Sequence, residues 1–196
     1  MNIGVLGLQG AFQKHINILK KLNVSTTKVR YSTDFKKIDA LIIPGGESTT
    51  LSRLIIDQKL LNPMRNFIKN KPVFGTCAGL ILLSTNIEDQ DDKVISFRSL
   101  DVKIKRNGWG RQIQSFKSSI DVKWNERDNF SYNAIFIRAP KIISCNGSTE
   151  ILSTIHDSPV MVRDKNILAT TFHPELTDDI KIHKYFLEMI NNSVKC

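Results

Sequence analysis

A thiol, an imidazole and a carboxylate are the parts of nucleophilic acyl transfer, and this chain offers all three in unusual local settings. Cys77 stands in Gly75-Thr76-Cys77-Ala78-Gly79, while His173 and Glu175 stand far downstream in Phe172-His173-Pro174-Glu175. In such chemistry the sulfur attacks a carbonyl carbon, the imidazole takes and returns the proton, and the carboxylate holds the imidazole and stabilises its charged form. The form G-x-C-x-G is the thiol version of a nucleophile elbow: glycines two residues either side permit a sharp strand-to-helix turn. A helix N-terminus below the sulfur favours a thiolate. Proline fixes its own φ and drives the residue before it into extended backbone, so His173 and Glu175 project to the same side. Each motif alone has a plainer explanation. A lone cysteine is often a small core side chain, and His-Pro-Glu can simply open a helix. Taken together they point to a Cys77, His173, Glu175 triad.

Two further segments are candidates for the same site. Pro44-Gly45-Gly46-Glu47-Ser48 ends an apolar run with adjacent glycines, whose backbone N–H groups can approach a substrate oxygen. Gly46 and the N–H of Ala78, the residue after the nucleophile, are then the expected oxyanion donors. An ordinary turn with Ser48 as helix cap explains the same residues. Leu8-Gln9-Gly10 also ends an apolar run; Gly10 permits a peptide flip there, and a simple strand-to-helix turn is the alternative.

Positioning these residues requires a particular order of elements. Ile3 to Leu8, Val24 to Tyr31, Ala40 to Ile43 and Pro72 to Cys77 read as strands, the first and last of them buried. Between them, Ala11 to Leu22 carries Phe12, His15, Ile16 and Leu19 on one helical stripe, and a helix from Ser48 to about Gln58 places Leu51, Leu54 and Ile55 inward. Strands alternating with helices imply a parallel sheet in a three-layer α/β fold, whose ligands gather outside the carboxyl ends of the strands. Beyond Asp91 short strands dominate: Val102 to Lys105, Ile120 to Trp124, Ala134 to Arg138, Ile151 to Ile155, Val160 to Arg163 and Ile167 to Phe172. They are expected as antiparallel hairpins beside or on the parallel sheet, with turns at Asp157-Ser158-Pro159 and Asp164-Lys165-Asn166. A last helix, 178–191, turns Ile182, Tyr185, Phe186 and Met189 inward, and Glu88 to Asp92 is an acidic loop.

Bulk properties narrow the classes. The 196 residues, 41% of them hydrophobic, suit one domain, 1–196. No run is long and apolar enough for a membrane span, and the start lacks the marks of a signal peptide, so a cytoplasmic chain is expected. Cys77, Cys145 and Cys196 lack CxxC spacing and are expected as reduced thiols, with no metal and no cofactor. The net charge of +9 comes from scattered lysines without interleaved aromatics, which argues against nucleic acid as a partner.

The motifs GTCAG, FHPEL and PGGEST resemble the class I glutamine amidotransferase family. The fuller set, IGVLGLQG, IPGGESTTLSRL, VFGTCAGLILLS, KRNGWGRQIQSF, FIRAP and FHPELTDD, is similar to those members that serve as glutaminase subunits of pyridoxal 5'-phosphate synthase, in order over nearly the whole chain. The resemblance implies a flavodoxin-like, mostly parallel sheet with added antiparallel strands. It implies hydrolysis of L-glutamine through a γ-glutamyl thioester on Cys77, with His173 as base and acid and Glu175 orienting it. Glutamine contacts are implied at Gly46, Glu47, Ser48, Arg106, Ile137 and Arg138, and an oxyanion hole at Gly46, Ala78, Gln9 and Gly10. Arginine can fork onto the α-carboxylate and Glu47 can meet the α-ammonium. The implied partner is a (β/α)8-barrel synthase subunit that receives the ammonia, and whose docking reorders the Gln9-Gly10 peptide. Departures from the family pattern are Gly108-Trp109 and the acidic stretch 86–99. The rival readings are a γ-glutamyl or peptide cysteine hydrolase of the same fold, and a redox-sensing module that uses Cys77 alone.

Overall fold

The computed structural model describes residues 1–88, 92–109, 115–125 and 128–193, the last by its backbone. Cys196, residues 89–91 of the acidic loop and residues 110–114 of the KRNGWGRQIQSF segment lie outside the described residues.

The first half of the chain builds strands and helices in alternation: β1 (Asn2–Leu6), α1 (Phe12–Lys21), β2 (Ser25–Val29), β3 (Ala40–Ile43), α2 (Ser48–Asp57), α3 (Leu61–Asn70), β4 (Val73–Thr76) and α4 (Ala78–Leu83). A 3₁₀ turn, Ser32–Lys37, links β2 to β3. Short strands follow: β5 (Ser84–Ile87), β6 (Leu100–Lys105), β7 (Ser115–Lys123), β8 (Asn129–Ile137), β9 (Lys141–Cys145), β10 (Glu150–Ile155), β11 (Ser158–Asp164) and β12 (Ile167–Thr170). The 3₁₀ turn Pro174–Leu176 and α5 (Lys181–Ser193) complete it.

The central sheet has seven strands in the order β10-β11-β12-β4-β3-β1-β2. Pairings β2–β1, β1–β3, β3–β4 and β4–β12 are parallel, whereas β11 runs antiparallel to β12 and to β10. The five parallel strands thus have flavodoxin-like order, with β12 as the fifth. Side chains alternate across the sheet. Leu41, Ile43 and Val73 face one layer, made of α2, α3, α4 and the small sheet β5-β6-β9. Ile42, Phe74 and Leu168 face the other, made of α1, α5 and the β7–β8 hairpin. A strand buried on both faces reads as an unbroken apolar run, as ALII does. Among the described residues no helix is long and apolar enough to cross a membrane.

Several expectations are corrected. Ile167 to Phe172 was expected among the antiparallel strands, yet β12 enters the parallel sheet beside β4, in register from Ile167↔Val73 to Thr170↔Thr76. The β10–β11 turn is His156-Asp157, both at positive φ, and Pro159 lies within β11 opposite Thr154. Helix α3 was not foreseen because Pro63 reads as a breaker; it is the third helical residue, where its missing N–H would have had no intrahelical partner. Ser84 turns to extended backbone at the end of α4 and opens β5, which, like β9, was unforeseen. The cap of α2 is Glu47, whose carboxylate accepts from the N–H groups of Thr49 and Thr50, and not Ser48.

Core burial is uneven enough to test. Leu41 is 0% exposed and Ile56 on α2 is 55% exposed. Leu41→Ala is expected to cost about 3 kcal/mol by urea unfolding, and Ile56→Ala to stay within about 0.5 kcal/mol of wild type.

Candidate active site

The loops after β1, β3, β4 and β12 gather at the carboxyl edge of the parallel sheet, around the point between β1 and β3 where the strand order reverses. Cys77 follows β4 directly. Its N–H donates to Thr170 O at 2.8 Å, extending the β4–β12 ladder by one bond. At φ +49°, ψ −102° the residue lies outside the regions open to most side chains, a cost of order 1–3 kcal/mol that the surrounding packing must hold. That packing is close. A Cβ on Gly79 would lie 2.2 Å from Ile43 O, so glycine alone lets α4 start this near β3.

His173 follows β12 and is held from β8. Its N–H donates to Ile135 O at 2.8 Å, while Tyr132 Oη lies 3.2 Å from Pro174 O and 2.6 Å from Thr177 Oγ1. The β7–β8 hairpin is therefore part of the site, and Cys77 Sγ meets its last residue too, at 3.9 Å from Ile137 O. His173 Nδ1 lies 2.7 Å from Glu175 Oε1, and both side chains are buried. The Cys77 thiol lies on the other side of the imidazole, close enough to raise its pKa. Gly45 makes room for the pair: a Cβ there would lie 2.4 Å from His173 Cε1 and 3.1 Å from Cys77 Cβ.

The electrostatics follow from these contacts. Burial alone would lower the pKa of His173, but the neighbouring Cys77 and the hydrogen bond to Glu175 outweigh it and push it up to about 10. Burial likewise opposes ionisation of Glu175, and the nearby His15 and His173 override it, leaving the carboxyl below its ordinary range. The result is an anionic carboxylate braced against an imidazole that keeps its proton well above neutrality. Such an imidazolium holds the proton that the thiol gives up and can hand it to a leaving group.

The remaining expected residues sit around this centre. Ala78 is the first residue of α4 and fully buried; the first N–H groups of a helix have no intrahelical acceptor. Gly10, at φ +81°, packs so tightly that a Cβ would lie 1.9 Å from Gly45 O. The carbonyl of the Gly45–Gly46 peptide thus faces Gly10, and planarity turns the Gly46 N–H away from it. Gln9 Oε1 accepts the N–H of Glu47 at 3.2 Å. Burial works against ionising Glu47, but hydrogen bonds from Thr49 and Thr50 prevail and hold it down at about 2. Ser48 is buried at the start of α2, and the Arg106 guanidinium reaches its Oγ at 3.5 Å. Ile137 and Arg138 are exposed, with Arg138 at φ +43°. Trp109 packs edge-on against Phe116 and at a tilt to Phe136, and donates from its indole N–H to Pro140 O at 3.3 Å. Gly45, Tyr132, Thr76 and His15 are the site residues that sequence reasoning passed over. His15 alone carried a signal, as a polar residue on an otherwise apolar helical stripe.

The His173 imidazole is expected to titrate near 10 in an NMR pH series of the intact chain. Gly45→Ala is expected to bring that titration down by about one pH unit or more, because its methyl group displaces the ring from both partners.

Comparison with known proteins identifies the family. The profile of the SNO glutamine amidotransferase family matches residues 5–192. "Pyridoxal 5'-phosphate synthase subunit PdxT" of Thermosipho africanus is 46% identical over 193 residues, covering 97% of this chain and 99% of that protein. The protein of the same name from Thermotoga petrophila is 45% identical over 194 residues, covering 97% and 100%. A crystal structure of a glutamine amidotransferase superposes with a TM-score of 0.88 at 37% identity, over 96% of this chain and 98% of that one. A thiol, imidazole and carboxylate joined at the edge of a flavodoxin-like sheet thus occur in a chain that belongs to the SNO glutamine amidotransferase family.

Proposed function

We propose that residues 1–196 act as one cytoplasmic glutaminase domain, which hydrolyses L-glutamine to L-glutamate and ammonia and delivers the ammonia to the synthase subunit of a pyridoxal 5'-phosphate synthase. The observation that carries this reading is the meeting of Cys77 with a His173 imidazole that is hydrogen-bonded to Glu175, in a protein whose near relatives are named as subunits of that synthase. The free thiols of Cys77 and Cys145 suit a reducing compartment.

In this reading Cys77 Sγ passes its proton to His173 and attacks the side-chain carboxamide carbon of glutamine. The C–N bond breaks as His173 returns the proton to the departing ammonia, leaving a γ-glutamyl thioester. Water, deprotonated by His173, then hydrolyses the thioester to glutamate and restores the thiol. Glu175 stays ionised throughout and offsets the imidazolium charge. The N–H groups of Ala78 and Gly46 stabilise the tetrahedral oxyanion, at about 3 kcal/mol per well-aimed donor. Arg106 and Arg138 take the α-carboxylate, with Ser48 and the Ile137 backbone alongside. Glu47 caps α2 with both oxygens, and as an exposed anion it retains lone pairs for the α-ammonium. Docking of a (β/α)8-barrel partner turns the Gln9-Gly10 peptide into its competent position, so the free subunit is nearly idle and ammonia is not released to solvent.

Cys77→Ala is expected to abolish glutamate formation while leaving glutamine binding by calorimetry intact; retained turnover would refute the mechanism. A candidate synthase subunit added to the wild-type chain is expected to stimulate glutamate formation strongly. The pH profile of that activity carries a further expectation. His173 holds its proton up to about 10 and loses it above, so the rate falls on the alkaline side there. Glu175→Gln removes the stabilising charge and moves this limb to lower pH.

A further inference from the structure

Behind the triad lies a second tier of polar groups that the proposed reaction does not touch. His15 on α1 and His183 on α5 are fully buried, and the ring of Phe74 meets both edge-on, at centroid distances of 6.4 Å and 6.0 Å. His15 Nδ1 lies 2.8 Å from His183 Nε2. The opposite nitrogen, His15 Nε2, lies 3.4 Å from Glu175 Oε2 and 3.5 Å from Thr76 Oγ1. Thr76 Oγ1 in turn accepts the N–H of Gly45, the residue wedged between His173 and Cys77. Among the described residues Glu175 Oε2 and His183 Nδ1 have no hydrogen bond of ordinary geometry, and His15 is a polar group that Oε2 faces.

The positions of the protons follow. Two neutral imidazoles sharing one hydrogen bond have two possible arrangements. If His15 Nδ1–H donated to His183, a lone pair on His15 Nε2 would face the Glu175 carboxylate with only the Thr76 hydroxyl, 3.5 Å away, to donate to it, and His183 Nδ1–H would be a buried donor with no acceptor among the described residues. Both features are costly. In the reverse arrangement His183 Nε2–H donates to His15 Nδ1, His15 Nε2–H is turned toward Glu175 Oε2, and the nitrogen left alone on His183 is a bare acceptor beside apolar neighbours. We infer that His15 and His183 are positioning residues of the active site: a directed relay of neutral imidazoles that anchors Glu175 Oε2 from behind, so that Oε1 stays aimed at His173.

Neutrality is part of the device. A cationic His15 would compete with His173 for the same carboxylate, whereas a neutral N–H orients it without taking its charge. Burial keeps both histidines below their ordinary values, with Glu175 pulling His15 the other way and His173 reinforcing the burial. The titratable groups that face the relay are Glu175 and His173 at the sheet edge, Cys77 beyond them, and Tyr132 of β8 on the Glu175 side.

This inference rests on the triad reading, and its test reads the imidazoles themselves. In the wild-type chain, labelled with ¹⁵N-histidine, the four histidines are expected to be distinguishable. His15 and His183 are expected to remain neutral and protonated on Nε2 from about pH 5.5 to 8.5. A proton found on His15 Nδ1 instead, or a His15 that becomes cationic in that range, would overturn the relay without any variant being made. His15→Gln keeps an amide N–H near the position of Nε2, and is expected to hold the His173 titration and the synthase-stimulated kcat within about twofold of wild type. His15→Leu, folded by circular dichroism, is expected to lower kcat by about tenfold to a hundredfold and to bring the His173 titration down. If Glu175→Gln moves the His173 titration and His15→Leu does not, the relay is wrong and the triad stands. If Glu175→Gln also leaves it unmoved, the triad reading falls and the relay with it.

Discussion

One backbone hydrogen bond organises this molecule: the N–H of Cys77 on the carbonyl of Thr170. It continues the parallel register of β4 and β12 one residue past Thr76, and so fixes the height at which two distant segments leave the sheet. From that level the chain at Cys77 bends into α4, and the chain at His173 bends toward Glu175. A slip of one residue in this register would send either side chain to the opposite face of the sheet. The buried apolar alternation of Ile167, Leu168 and Ala169 against Val73 and Phe74 makes such a slip costly, because it would exchange core residues between two differently shaped layers. Core packing and site geometry are thus one constraint seen from two ends.

The antiparallel additions serve the same end. Strand β8 accepts the N–H of His173, carries the tyrosine that pins the Pro174 turn, and offers Ile137 O to the thiol. A five-stranded parallel sheet would bring Cys77 and His173 to one edge, but nothing in it would set the angle at which the histidine leaves β12. The hairpin supplies that angle. It is itself stiffened by Phe116 stacked on Phe136 at 4.5 Å and by Trp109 beside them.

What could be read from the sequence divides along physical lines. Cys77, His173 and Glu175 were legible because glycine and proline around them impose backbone shapes that few other residues permit. Strands β1, β3 and β4 were legible because burial on both faces writes a nearly unbroken apolar run, whereas the edge strand β2, STTKV, is marked by β-branched residues. The parallel placement of β12 was not, since ILAT has the same composition in either direction and only its partner distinguishes them. Glu47 as the helix cap was missed because serine at the next position satisfies the same rule, and the choice between them depends on where the turn ends. Helix α3 was hidden by Pro63. The roles of Tyr132, Gly45 and His183 are contacts between elements remote in sequence, which no local pattern records.

The location of β12 inside the sheet, between β4 and β11, also bears on how the chain comes off the ribosome. Until residues 167–175 emerge, β4 is an open edge and the sulfur beside it has neither base nor carboxylate. A stalled or prematurely terminated polypeptide therefore exposes a strand edge that chaperones and proteases recognise, while remaining chemically silent. Closure of the parallel sheet and assembly of the triad arrive in the same step of synthesis.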